Sequence, residues 1–463
     1  MIYIKSFLLL LTLAATVLFK TQHMDVMLYV ASCAVLIYLA LSWFKVSLPG
    51  KIFISLSGVL LLAFWGRGVD FTVVEQGFSR VALFSAFMVG LVFLRVAAKL
   101  SDVIARCGRF LINQKPSARY AVLTYGSCLL GAVLSFGSLN LMGQVIVNGN
   151  TLEAAKGDSR IHLVRKKRMV LALLRGFSTL PLSSPFSISM ALVLSIVPSL
   201  KWQSLVPLSI SIAVALIALG WFMDYRTYAK AQAANAQTSY ESQHGGAVLI
   251  FVAIVLTLFG MSATLSMTFN YGLPVSIIIL SPFFAVGWFL LEEMFNKGVS
   301  ETGILMFAKS MATELNAMSS EVAVIGGASF VGALFSAIIP IELVQDFSQF
   351  LGLHGFPLAV FCMLAVMLTS IVGVSPFVSV TILATTFSDV TLFGLSPYVL
   401  ATSLLVGWAL TLNVSPLTIS SIIIGRIIEC RPSDITLRWN GLYCLIALGF
   451  MVATLYGFHL AYD

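Results

Sequence analysis

The chain has 463 residues, of which 59% are hydrophobic and 10% charged. Soluble globular chains carry about 25% charged residues, so a chain this long with so few charges cannot cover a water-facing surface. The net charge of +8 does not point to nucleic acid, because the basic residues fall in short connections between apolar runs, where Lys and Arg set membrane orientation. The expectation is an all-α polytopic protein of the inner or plasma membrane, in contact with lipid and without a nucleic-acid partner.

Apolar runs at 6–19, 26–44, 52–65 and 81–94 open the chain; roughly 18 or more such residues cross the hydrocarbon layer. The first, after Lys5, resembles a signal peptide but has no A-x-A-type site before Lys20, and is taken as a span. Two basic groups follow: Arg95, Lys99, Arg106, Arg109, Lys115 and Arg119, then Lys156, Arg160, Arg165, Lys166, Lys167 and Arg168. Both belong on the cytoplasmic side, yet one apolar stretch, 120–147, separates them. Its 28 residues are too long for one upright span and suit a re-entrant hairpin, with Ser135-Phe136-Gly137-Ser138-Leu139-Asn140 at its turn. The 31-residue run 357–387 is flanked by segments with no Lys or Arg but with Glu342, Asp346 and Asp389. It reads as a second hairpin entering from outside, with Gly373-Val374-Ser375-Pro376 near its tip.

With two hairpins, eleven crossings remain, at 2–19, 26–44, 52–66, 81–94, 169–197, 205–222, 247–267, 274–292, 322–340, 397–425 and 439–460. The N-terminus is then cytoplasmic and the C-terminus external. Lys20, Arg67, Arg80 and Lys201 fall outside, Arg175 falls within a span, and the other 22 basic residues are cytoplasmic. Trp43, Trp65, Trp202, Trp221 and Trp439 lie at span ends, as an aromatic belt requires, with Trp288 and Trp408 deeper. Gly326-Gly327-Ala328 predicts close helix packing. The six cysteines are scattered and form neither a disulfide frame nor a metal site.

An amphipathic helix precedes each hairpin. Arg95, Lys99, Asp102, Arg106 and Arg109 oppose Val96, Leu100, Val103, Ile104, Cys107 and Phe110; later, Leu343, Val344, Phe347, Phe350 and Leu351 oppose Glu342, Gln345, Asp346 and Gln349. The span after each hairpin carries one motif, Ser184-Pro185-Phe186-Ser187-Ile188-Ser189 and Ser415-Pro416-Leu417-Thr418-Ile419-Ser420. Proline in mid-span frees a carbonyl and favours a broken helix, although two ordinary proline kinks would read the same way. The expected plan is a first span (1–24), repeat 1 (25–222) with hairpin 120–147 and broken helix 169–197, and a cytoplasmic linker (223–246). Repeat 2 (247–463) follows, inverted, with hairpin 357–387 and broken helix 397–425. Inverted repeats with broken helices mark secondary transporters.

This arrangement resembles the ion transporter superfamily, and most the divalent anion/sodium symporter branch. The resemblance spans the whole chain and rests on topology. That branch carries Ser-Asn-Thr at each hairpin tip, where this chain has Ser135…Ser138-Leu139-Asn140 and Thr369-Ser370…Ser375-Pro376. The broken spans keep Pro181, Pro185 and Pro416, with a polar Asn413. The resemblance implies an elevator, in which hairpins and broken helices move against a fixed scaffold.

All nineteen carboxylates read as lying in connections or at span ends, with Glu292 and Glu293 solvated, and no His lies at mid-membrane. An acid relay is therefore disfavoured. The candidate substrate-binding residues are Ser135, Ser138, Asn140, Arg175, Ser184, Ser187, Thr369, Ser370, Ser375, Asn413, Ser415 and Thr418. A sodium site is expected from Ser138, Asn140, Ser183, Ser375, Asn413 and Ser415, since hydroxyls and carbonyls suit a hard cation. Half-helix N-termini suit an anion, while serines and threonines also bond back to their own helices. Arg175 either snorkels to the cytoplasmic interface or meets an anion in the cavity. The functional expectation is a secondary active transporter of a small anionic solute, with sodium as coupling ion, no other cofactor, no enzymatic activity, and a homodimer through the scaffold helices. The alternatives are a permease subunit of a tripartite-type transporter, an integral-membrane enzyme, or a channel.

Overall fold

In lipid every backbone donor and acceptor must be satisfied within the chain, and a sequence of long apolar runs has the helix as its way to do so. In a computed structural model that describes residues 1–65, 71–112, 114, 116–153, 155, 157–197, 199–234, 245–296, 300–338 and 340–462, the regular elements are all helical. Among the described residues nine helices or broken helices are long and apolar enough to cross a membrane, and one bent pair adds a tenth. The protein is a multi-pass, all-helical membrane protein.

The first half begins with α1 (Ile2–Gln22) and α2 (Asp25–Ser42), an antiparallel pair turned at His23, which takes a left-handed φ of 53°. Helix α3 (Leu48–Trp65) and the long α4 (Phe71–Leu100) follow. Helix α4 is the axis of a scaffold, packed against α1, α13 (Leu273–Asn296) and α15 (Ser319–Ile338). Gly327 on α15 lies so close to α3 that a Cβ there would meet Phe53 Cβ at 2.8 Å, which is the close packing the Gly-Gly pair predicts. Arg67 and residues 235–244 of the expected linker lie outside the described residues, as does the side chain of Trp65.

Four expectations are corrected. The first amphipathic helix is α5 (Asp102–Ile112) and begins after a break at Ser101; Arg95 and Lys99 belong to α4. Both of those residues pair with Glu314, at 3.7 and 2.7 Å. That carboxylate lies on α14 (Glu301–Ala317), a helix within what reads from sequence as a connection, bent 49° from α15. Helix α14 packs on α1 and α4, with Ser6 Oγ donating to Ala312 O at 3.5 Å. Glu292 is half-buried, not solvated. Its Oε1 accepts from Ser101 Oγ (3.0 Å) and Val103 N (3.1 Å) and its Oε2 from Trp288 Nε1 (3.0 Å), so it caps α5 from the scaffold. Finally, α11 (Trp202–Ala234) runs helically through Asp224, which is buried and forms a two-pronged ion pair with Arg168 at 3.0 and 2.6 Å. One carboxylate is therefore interior, neutralised by the planar guanidinium fork that best fits it.

The second unit of the molecule holds α6 (Pro116–Leu134), α7 (Phe136–Gly149), the broken run α8 (Ser159–Ser178), α9 (Leu180–Ser183) and α10 (Ile188–Ile196), and α11. After α12 (Gly245–Phe269), which joins the scaffold, and the short α16 (Ile341–Phe350), the same succession returns. It comprises α17 (Phe356–Ile371), α18 (Pro376–Thr386), the broken run α19 (Pro397–Val414) and α20 (Ile419–Ile427), and α21 (Gly441–Tyr462).

Candidate functional site

Two helical hairpins and two interrupted helices converge in the second unit. The α6–α7 hairpin turns on one residue, Ser135, whose φ of 51° is left-handed, a strained conformation for a residue with a Cβ. The α17–α18 hairpin turns through 372–375, with Gly373 at φ 99°. In both interrupted runs the helix stops, the Ser-Pro segment is extended, and a nine-residue half-helix restarts, α10 and α20. A hydroxyl caps each restart: Ser187 Oγ accepts from Met190 N at 3.2 Å and Thr418 Oγ1 from Ser421 N at 3.4 Å. Both proline motifs are therefore true breaks, not kinks. Ser187→Ala should cost about 1 kcal/mol of stability, read as a lowered thermal midpoint of the purified protein.

The packing is crossed. Half-helix α10 lies on α18 of the other hairpin, and α20 lies on α7. Trp408 of α19 meets Phe377 of α18 edge-on, with ring centroids 6.2 Å apart. The two breaks sit back to back, since α19 packs on α8 and α9. A polar chain ties them: Asn413 Nδ2 donates to Ser178 Oγ at 2.6 Å, and Ser178 Oγ donates to Arg175 O at 2.7 Å.

Arg175 does not snorkel. It is 6% exposed, with its guanidinium 4.2 Å from the centre of the Tyr443 ring, a cation–π contact. Its Nε donates to Asn440 Oδ1 at 2.8 Å, and its Nη1 to Tyr120 Oη at 2.9 Å and Gly220 O at 3.4 Å. Asn440 is buried and donates through Nδ2 to Asn413 O (3.3 Å) and Asn413 Oδ1 (3.0 Å) at the C-terminal end of α19. Every partner is neutral, and among the described residues no carboxylate lies within ion-pair distance of Arg175. The α19 C-terminus, where carbonyls lose their helical partners, is a favourable neighbour for this cation.

The other candidates divide. Ser415 Oγ donates to Ser370 O at 2.8 Å, joining the second break to the second hairpin. Ser138 bonds back to Ser135 O (2.7 Å), and Thr369 shares a 2.7 Å bond with Ser379 across its own hairpin. Ser183 sits 3.1 Å from Cys128 Sγ. Ser184 is buried, and among the described residues its hydroxyl has no hydrogen-bond partner. Asn140 and Ser375 are exposed, and among the described residues no side-chain bond joins Asn140, Ser183 or Ser375 to another member of the expected sodium set. Tyr120, Ser178, Ser379, Asn440 and Tyr443 were not foreseen. A polar residue at the foot of an apolar run is the signal that marks Tyr120 and Asn440.

Neither a protein-family pattern nor a curated protein matches this sequence. Solved structures do share its fold. One is MtrF of Neisseria gonorrhoeae, described among antimetabolite efflux pumps: TM-score 0.58 and 13% identity, covering 90% of this chain and 97% of that one. Another is the Alcanivorax borkumensis YdaH transporter: TM-score 0.56 and 16% identity, covering 89% and 99%. The chain has the fold of these membrane transporters. The divalent anion/sodium symporter branch finds no support in them.

Proposed function

We propose that the chain is a secondary active transporter of a small anionic solute, coupled to sodium and working as an elevator. The observation that carries the carrier reading is the crossed meeting of two hairpins with two mid-span breaks. Backbone left unpaired at membrane depth is tolerated where it lines a cavity or is buried in protein, and breaks of this kind are where carriers hold solute and ion. The similarity to an efflux pump and a transporter points the same way, and makes export a direction to test beside uptake. An integral-membrane enzyme would need a reactive group at the centre, whereas this one is built from hydroxyls, amides and one arginine.

The anionic preference rests on Arg175, a buried cation whose protein partners are all neutral. Restarted helices α10 and α20 add N-terminal donors. The sodium reading rests on two carbonyls at the hairpin tips, Ser370 O beside the motif hydroxyl of Ser415 and Ser135 O beside the hydroxyl of Ser138. In the elevator reading, α6–α11 and α17–α21 move as a body against a scaffold of α1–α4 and α12–α15, with α5 and α16 as arms. The two halves of the chain, 25–222 and 247–463, are related as inverted repeats, so that α6–α11 corresponds to α17–α21. The Ser-Pro motifs, the equal half-helices and the crossed packing all support that relation, with the Arg168–Asp224 end facing the cytoplasm.

Proteoliposome flux across a panel of carboxylates, sulfonates and phosphates, with and without a sodium gradient, tests this. Saturable anion flux that rises with the sodium gradient is expected. Sodium-independent flux driven by pH would end the sodium proposal, and no saturable flux in either direction would end the carrier proposal. Cysteines placed at positions 148 and 356 should label from opposite sides of the membrane; labelling from one side would break the inverted repeat.

A further inference from the structure

Away from the breaks, at the end of the scaffold where α4 meets α14, lies a cavity of about 460 Å³. It is lined by Lys99, Thr302, Leu305, Met306, Lys309, Ser310, Thr313 and Glu314. Three features distinguish it from the packed scaffold around it. Its charge is unbalanced. Lys99 and Arg95 share one carboxylate, Glu314, and Lys309 has no carboxylate within ion-pair distance among the described residues. Two lysines, Lys99 and Lys309, thus line the space against one carboxylate, which Arg95 also neutralises from outside it, and neither Glu293 nor Glu301 lines it. Its remaining polar lining is hydroxyl, from Thr302, Ser310 and Thr313, the groups that accompany ammonium ions around phosphate oxygens. Its rim is apolar and open: Ile304, Leu305 and Met306 on the same helix are 49%, 52% and 49% exposed.

A net positive hollow rich in hydroxyls, with a greasy rim, matches one molecule class in both halves. We propose that this cavity holds the phosphate headgroup of an anionic phospholipid, with the acyl chains lying along the apolar rim of α14. Helix α14 is bent 49° from α15. Lys309 and Lys99 hold the phosphate, and Glu314 limits the affinity by neutralising Lys99. The site is separate from the breaks and rests on the membrane placement of the chain, not on transport.

The test uses the full-length protein in neutral detergent, with phosphatidylglycerol or phosphatidylcholine titrated in and retained lipid counted by native mass spectrometry. Phosphatidylglycerol should be retained in preference to phosphatidylcholine. A basic residue near an anionic membrane surface is worth about 1 kcal/mol, or about fivefold in affinity. Lys309→Gln should therefore weaken phosphatidylglycerol retention about fivefold. Glu314→Gln, by freeing Lys99 and Arg95, should strengthen it by a similar factor. Lys201→Gln, an exposed lysine in the linker before α11, should change nothing. The opposite signs separate lipid binding from loss of folding, which would lower retention in both variants. Equal retention of the two lipids, an unchanged Lys309→Gln variant, or weaker retention by Glu314→Gln would overturn the proposal. Displacement of phosphatidylglycerol by inorganic phosphate at equal concentration would assign the site to a soluble phosphate and overturn it as well. Flux that fails while these results hold removes the carrier reading alone.

Discussion

Arg175→Met is expected to give a folded protein with a much weakened grip on the proposed anionic solute. The guanidinium is held by neutral groups at 2.8, 2.9 and 3.4 Å, so removing it breaks no ion pair. A buried charge replaced by an apolar side chain of similar length is often tolerated. The stability cost is that of leaving Asn440 Oδ1 and the Tyr120 hydroxyl short of a partner, about 1–3 kcal/mol for a buried polar group. The functional cost is different in kind. A hydrogen bond to a charged group contributes about 1.5–3 kcal/mol, so apparent affinity for the anion should fall about ten- to a hundredfold in proteoliposome flux. Arg175→Lys should restore little. Lysine keeps the charge but lacks the planar fork that reaches Asn440 and Tyr120 together. Tyr120→Phe removes one of those bonds and leaves the cation in place, so it should retain most of the flux. Wild-type flux from Arg175→Met would end the anion-binding role, and leave Arg175 as a stay between α8, α11 and the turn before α21.

That role shows what the sequence could and could not reveal. The breaks and hairpins were legible because they are written in local chemistry. Proline denies a helix its hydrogen bond, and Ser135 and Gly373 mark turns too tight for an apolar side chain. The basic clusters fixed which apolar runs had to double back. Contacts between distant segments leave no such trace. Asn440 follows Trp439 at the foot of the last helix and reads as interfacial; only its meeting with Arg175, 265 residues away, makes it part of the centre. Asp224 looked like the start of a polar linker because the stretch up to Gly246 is rich in Ala, Gln, Asn and Ser. Its burial depends on Arg168 reaching it from another helix. Helix α14 was missed for a related reason: Lys309 and Glu314 interrupt its apolar pattern, and Glu314 is neutralised by residues of α4. Charges that are paired across distant segments, such as Arg168 with Asp224 and Lys99 with Glu314, break a reading that treats every charge as solvated.

The second large effect concerns two glycines at one position of the two interrupted helices. Gly176 and Gly407 each stand eight residues before the motif serine, Ser184 or Ser415. Each lets its helix lie against the first arm of its own hairpin. A Cβ on Gly176 would fall 2.1 Å from Thr124 O, and one on Gly407 2.8 Å from Met363 O. In both cases the obstacle is backbone, which cannot turn aside as a side chain can. Gly176→Ala should therefore force α8 off α6, breaking the 2.8 Å bond from Ser127 Oγ to Leu173 O as well. Overpacking costs about 1–3 kcal/mol, and more where nothing can yield; Gly407→Ala belongs in that range and Gly176→Ala at or beyond its upper end. Gly126 is the control. A Cβ there would come within 2.5 Å of the Leu111 methyls, between the distances of the other two, but a leucine side chain can change rotamer, so Gly126→Ala should cost well under the Gly176 value. Unfolding in mixed micelles should rank the three variants Gly176, Gly407, Gly126 from most to least destabilised. Adding Thr124→Ala to Gly176→Ala should give no rescue, because the atom struck is the carbonyl. Rescue would show that the threonine side chain, not the backbone, sets the distance between α6 and α8.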